Sequence, residues 1–198
     1  EFGNENVINY DRTKARDLTG LLTTHKIITF EAYSTDYQSH QSLRSLVHDG
    51  FAILKVGPEL TFMLREVLYG LDLIASEFLS TYGDRRLNHT VKRAMQAQPH
   101  NWASQYNGSE KNQRLLKHYS LSDRVRYYWH NGTVTAAVSQ LFDSLRGHLI
   151  SRTLVWQFLP GAAIFCDAPL KPEDIAIRRI TKSITAYHQA CHPYPIDT

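Results

Sequence analysis

Long apolar runs are missing from this chain of 198 residues. A membrane-spanning helix needs roughly 20 consecutive apolar residues, and nothing here approaches that, so no membrane partner is expected. Cysteine is scarce. Cys166 and Cys191 are the only two, with no C-x-x-C spacing, so two free thiols in a reducing cytoplasmic setting are expected. A surplus of one charge is missing too: 22 Lys and Arg stand against 19 Asp and Glu, a net +3. The basic residues are scattered, which argues against a nucleic-acid surface. No basic stretch followed by an apolar one opens the chain, so no secretory signal is read. The ten histidines show neither His-x-His nor His-Glu-x-x-His spacing and are expected mostly on the surface or at helix ends. Without a P-loop or Gly-x-Gly-x-x-Gly, a kinase reading finds no support.

What is present suits a globular α/β protein, with 42% hydrophobic and 21% charged residues. Two short apolar runs, Ile27–Phe30 and Phe51–Leu54, predict strands, each followed by a polar or glycine-bearing loop. Asp11 is placed to cap a helix over 12–24, with Ala15, Leu18, Leu21 and Leu22 on one face. A short amphipathic helix over 41–48 separates the strands. Gly57-Pro58 opens a long helix over 58–79, whose wide apolar face (Leu60, Met63, Leu64, Val67, Leu68, Leu71, Ile74, Ala75, Phe78) predicts packing on a sheet. Beyond Asp84 the pattern is helical: 88–97, 112–119, 134–145 and 173–191, the last with Ile175, Ile177, Ile180, Ile184 and Tyr187 turned inward. Two parallel strands cannot bury both faces of a sheet. With the opening Glu1-Phe2-Gly3 and no initiating Met, this predicts the C-terminal part of a longer chain.

Phe30-Glu31-Ala32-Tyr33-Ser34-Thr35-Asp36-Tyr37-Gln38 resembles one family closely, the GatZ/KbaZ non-catalytic subunits of D-tagatose-1,6-bisphosphate aldolase. The likeness continues through Asp49–Pro58, Leu60–Phe62 and Leu64–Glu66, then through Tyr119–Trp129 and Gln157–Pro160. Lys55-Val56-Gly57-Pro58-Glu59-Leu60 is also similar to the run after the last strand of catalytic class II aldolases. The resemblance implies the C-terminal part of a (β/α)8 TIM barrel related to class II aldolases. Residues 1–80 would hold strands seven and eight, and 81–198 a mostly helical extension. It implies a subunit that supports a catalytic aldolase partner and performs no cleavage itself. The reaction would split tagatose 1,6-bisphosphate into glycerone phosphate and glyceraldehyde 3-phosphate, in galactitol or N-acetylgalactosamine catabolism. The alternative is an enzyme in its own right, a metal-dependent epimerase of a ketose or ketose phosphate.

The candidate site lies at the strand ends, where barrel loops carry the chemistry. Glu31 and Asp36 are two carboxylates that could hold a divalent metal or serve as acid and base; equally, Asp36 and Ser34 could form local turns and caps. Lys55 could meet a phosphate or sugar oxygen, or pair with Glu31 or Asp36. Ser34, Thr35, Asp36, Gln38, Lys55 and Gly57 form the expected phosphate side, at a helix N-terminus with free N–H groups. Tyr33 stands where the family run carries His, which weakens a metal because a neutral phenol is a poor ligand. In the extension, Arg124 offers a guanidinium fork for a phosphate; the competing reading is an Asp123 cap with an Arg clamp that docks the extension on the barrel.

Overall fold

The computed structural model describes residues 1–192. The elements in chain order are helix α1 (Arg12–Thr24), strand β1 (Phe30–Ala32), helix α2 (His40–His48), strand β2 (Phe51–Leu54) and helix α3 (Pro58–Phe78). Then follow α4 (Arg86–Ala97), α5 (Glu110–Tyr119), α6 (Gly132–Leu145), α7 (Arg152–Phe158) and α8 (Pro172–Cys191), with 3-10 turns at Pro99–Asn101, Arg124–Tyr128 and Pro160–Phe165. No strand follows Leu54, and no helix is long and apolar enough to cross a membrane, among the described residues.

β1 and β2 pair in parallel, with Phe30 opposite Phe51, Glu31 opposite Ile53 and Ala32 opposite Leu54. The helix between them is α2, capped at its start by Ser39 Oγ, which accepts from Ser42 N at 3.0 Å. The first strand therefore begins three residues later than the apolar run 27–30 predicts. Ile27 is 97% exposed. A strand needs a paired neighbour, and the partner chain turns away at Asp49-Gly50, directly before Phe51. Gly50 has φ +95°, the left-handed region that favours glycine, and the end of the Leu22 side chain lies over it. Leu22 is thus held, but α1 as a whole buries nothing, and Leu18 and Leu21 face solvent.

A small core of Ala32, Leu46 and Phe51, flanked by Tyr10, Phe30 and Leu54, sits under the strand pair. The main core is elsewhere, among the helices and the turns that join them. Val67, Leu71 and Ile74 of α3 meet Leu87, Val91 and Met95 of α4, Leu141 and Leu145 of α6, and Ile175 of α8. The apolar face of α3 therefore packs against α4, α6, α7 and α8, not on a sheet. Two strands of three and four residues are too small to cover 21 helical residues. At Gly70 the crossing is tight: a Cβ would lie 3.0 Å from the Phe158 carbonyl oxygen.

α8 also departs from its expected face. Ile175 is buried, but Ile177 and Ile184 are exposed. The buried positions include Ala176, Ser183 and Ala190, seven residues apart. Small side chains let helix axes approach closely, and α8 packs on α2 and α3 with this stripe and Ile175 buried while Ile177 and Ile184 stay outside.

Two buried polar groups lock the helical body. Arg65 of α3 pairs with Asp123, their side chains 3% and 0% exposed, and Arg65 also donates to Ser120 O at 3.2 Å. Burial pushes the Asp123 carboxyl up, and the opposing pull of Arg65 is smaller. The arginine that holds Asp123 is thus Arg65, 58 positions earlier, and not one of the arginines beside it in the extension. His118 of α5, 6% exposed, lies with Nδ1 3.0 Å from Tyr69 Oη and 3.3 Å from Asn88 Nδ2. Burial, reinforced by Arg65 and Arg85, lowers its pKa to about 4.

Breaking one half of the buried pair leaves an uncompensated charge. Arg65→Met is expected to cost about 3–5 kcal/mol in urea denaturation, and adding Asp123→Asn should restore part of that. Additive losses would show that the two charges do not support each other. An unfolded histidine titrates near 6.5, whereas His118 in the fold titrates at about 4. Its contribution is full above about pH 6.5 and is lost as pH falls toward 4, on the order of 3 kcal/mol. His118→Asn should flatten stability against pH across that window; a curve parallel to the parent protein's would refute the assignment.

Candidate functional site at the strand ends

The C-terminal ends of β1 and β2 bring Glu31, Tyr33 and Lys55 together. Glu31 Oε1 lies 2.5 Å from Lys55 Nζ. The same ammonium donates to Tyr33 Oη at 2.7 Å and stands 4.1 Å from the ring centroid. The cluster is open to solvent: Lys55 and Glu31 side chains are 46% and 30% exposed. Glu31 first, then Tyr33, raises the Lys55 pKa above the ordinary lysine value, so the residue is a cation throughout the neutral range. The Tyr33 phenol is thus engaged by Lys55.

Asp36 does a different job. Its Oδ1 accepts from Gly57 N and from Glu59 N, both at 2.8 Å, and the residue is 2% exposed. Glu59, in the first turn of α3, answers in kind by accepting from Tyr37 N at 2.6 Å. The loop after β1 and the start of α3 are thus fastened by two carboxylates pointing in opposite directions, the logic of a capping box spread over distant residues. Tyr37 and Ser34 hold φ of 61° and 55°, the left-handed region that costs a non-glycine residue free energy, and the Glu59 bond fastens Tyr37 there.

This arrangement occupies the first turn of α3. Gly57 and Glu59 give their N–H to Asp36, Pro58 has none, and Leu60 N bonds Gly57 O at 3.0 Å. An anion is therefore offered the Lys55 ammonium here, not an open helix terminus. Thr35 donates its hydroxyl to Lys55 O at 2.8 Å, and its own carbonyl accepts from Tyr187 Oη at 2.7 Å. Tyr187 arrives from α8, and burial raises its pKa. Gln38 spends both ends of its amide on the N-terminal segment, accepting from Tyr10 N at 2.8 Å and donating to Ile8 O at 3.0 Å.

Arg124 is not part of this group. Its guanidinium donates to Asn101 O at 3.4 Å and lies 5.7 Å from the Tyr127 ring centroid, inside the helical body. As for a metal, Glu31 is paired with Lys55 and Asp36 Oδ1 carries two N–H donors. No group of three or more His, Cys, Asp or Glu is placed to hold an ion among the described residues. These two carboxylates do not fit a divalent ion by themselves, and no step is derived through one. Sequence reasoning missed Glu59 and Tyr187. An acid directly after an N1 proline is a usable sign of a capped helix start; nothing marks a tyrosine 152 positions from its partner.

A family model described as D-tagatose-1,6-bisphosphate aldolase subunit GatZ/KbaZ-like matches residues 1–192. The chain belongs to the GatZ/KbaZ-like family. A relative from Agrobacterium fabrum (strain C58 / ATCC 33970), named D-tagatose 6-phosphate 4-epimerase, is 44% identical over 190 residues, covering 96% of this chain and 45% of that protein. A crystal structure from Sinorhizobium meliloti 1021, described as a probable tagatose 6 phosphate kinase, superposes with TM-score 0.90 at 46% identity, covering 96% of this chain and 50% of that one. The chain thus spans about half the length of these relatives.

Asp36→Ala, which frees two N–H donors at once, is expected to lower stability by about 1–2 kcal/mol, and Asp36→Asn, which keeps an acceptor, by roughly half that or less. Urea denaturation of both variants checks it. Equal losses would mean that the carboxylate charge, not the acceptor geometry, matters.

Proposed function

We propose that this chain is the C-terminal half of a (β/α)8 barrel that handles a ketose phosphate, and that the whole protein epimerises its substrate at C4. Residues 1–80 supply the last two βα units in this reading, and the region from 81 onward the helical extension. The observation that carries it is the 44% identity, across nearly all of the chain, to a protein named as a tagatose 6-phosphate 4-epimerase. Two features support the incomplete barrel. The sheet has two open edges, and Ile27, Ile53, Leu18 and Leu21 present apolar surface beside it, as expected where further units pack.

The chemistry is consistent with an aldolase ancestry. The C4 hydroxyl of a 2-ketose is β to the carbonyl. Removal of its proton lets the C3–C4 bond break, leaving an aldehyde at C4 and an enediolate over C2 and C3. Rotation of the aldehyde and re-addition closes the same bond with C4 inverted, with no atom gained or lost. In this scheme Glu31 takes and returns the hydroxyl proton. Lys55, cationic at neutral pH, faces the developing enediolate oxygen or the substrate phosphate.

A second reading is favoured by the family's description as an aldolase subunit. There the barrel would bind and support a catalytic class II aldolase partner, and the paired, internally neutralised Glu31 and Lys55 would be structural. One experiment separates the two. The gene product that carries these residues is incubated with D-tagatose 6-phosphate, and the C4 epimer is followed by NMR. Epimer formation, with kcat lowered at least about 100-fold by Glu31→Gln at an unchanged melting temperature, supports the first reading. No epimer, together with faster cleavage of tagatose 1,6-bisphosphate by an added catalytic subunit, supports the second.

A further inference from the structure

The helical body carries a cationic cavity that the strand-end site does not use. It lies between α4 and α5, has a volume of about 270 Å³, and is lined by Arg85, Asn88, Lys92, Arg114, His118 and Tyr119 among others. No carboxylate lines it. Arg85, Lys92 and Arg114 take part in no ion pair among the described residues. Two acids act on Arg85 through space, Asp72 and Asp84; neither lines the cavity, and Asp72 is spent, since its oxygens accept from Tyr82 Oη, Leu87 N and Asn88 N at 2.7 to 2.9 Å.

Three donors are left over. Arg85 Nε is buried with no acceptor among the described residues, while a terminal nitrogen of the same guanidinium donates to Tyr119 Oη at 3.3 Å. A buried guanidinium N–H without an acceptor is costly and rare. The Arg85 backbone sits at φ 41°, and its amide is held by Ser76 Oγ at 2.8 Å, so the side chain projects from an anchored point. Asn88 Nδ2 is a donor to His118 Nδ1, which leaves the ring proton on Nε2; that N–H has no hydrogen-bond partner among the described residues, and His118 lines the cavity. Tyr119 adds a hydroxyl.

We propose that this cavity is an anion site that takes the phosphate group of a small molecule. Three full positive charges with several convergent N–H and O–H donors match a dianionic phosphate and its multiple acceptor oxygens. The volume holds a phosphate with a small organic group and lies near the lower end of ligand pockets, about 300 Å³; a nucleic-acid strand does not fit. The site does not depend on the epimerase reading, since none of its residues belongs to the strand ends.

The test is calorimetric titration of the full chain with inorganic phosphate and, separately, glycerol 3-phosphate, at ionic strength held constant with sodium chloride. Both ligands, or one of them, should bind saturably. Lys92→Gln/Arg114→Gln should raise the Kd at least about tenfold. Arg93→Gln/Lys111→Gln removes the same charge from outside the cavity and should change it less than about twofold. All four side chains are exposed, so melting temperatures in chloride should stay together. Tighter binding of the ester identifies a phosphorylated metabolite as the occupant, and tighter binding of free phosphate identifies the ion; either upholds the site. Equal weakening by the two double variants, or no saturable binding of either ligand, overturns it.

Discussion

The joint between the strand pair and the helical body depends on one carboxylate. Asp36 receives two backbone N–H groups from the start of α3, and through them the loop after β1, the end of β2 and the long helix become one piece. Glu59 returns the favour to Tyr37 N, and Tyr187 ties in α8 through the Thr35 carbonyl. Three segments far apart in sequence therefore meet at a point with few unpaired polar groups. A rigid base of this kind is what lets Glu31, Tyr33 and Lys55 stand in contact at an otherwise open edge.

Charge is distributed in three ways in this protein, and the difference sorts structure from candidate function. Arg65 and Asp123 are buried together and hold the helical body. Glu31 and Lys55 are paired but reachable from solvent, the condition under which a substrate can compete for either partner. Arg85, Lys92 and Arg114 surround a cavity without an acid among its lining residues. Self-repulsion among such cations is unfavourable in the free protein and is relieved by an anion, so this arrangement is the least self-sufficient of the three.

Much of the architecture is legible in the residues. Asp11 and Ser39 cap α1 and α2 as short polar side chains do, Pro58 opens α3, and Gly50 closes the turn into β2. The pairing of Lys55 with Glu31 is one of the alternatives that adjacent strand ends allow, and the family could be read from the run Phe30–Gln38 itself. What could not be read is where apolar faces point once the chain has folded. Leu18, Leu21, Ile177 and Ile184 form amphipathic patterns and yet are exposed, because periodicity reports a face without naming the surface opposite it. Ala176, Ser183 and Ala190 gave no apolar signal, but their small size decides which side of α8 approaches its neighbours.

The sequence by itself determined local matters: helix starts, the two strands to within a few residues, the polar loops behind them and the family. These rest on interactions within a few residues, such as caps, turns and alternation. Tertiary structure decided the partners. Arg65 with Asp123, Asp36 with α3, Tyr187 with Thr35, and the gathering of Arg85, Lys92 and Arg114 around His118 each join residues that only packing brings together. A polar side chain declares that it needs a partner, but not which one. That choice is made when burial removes water as the alternative.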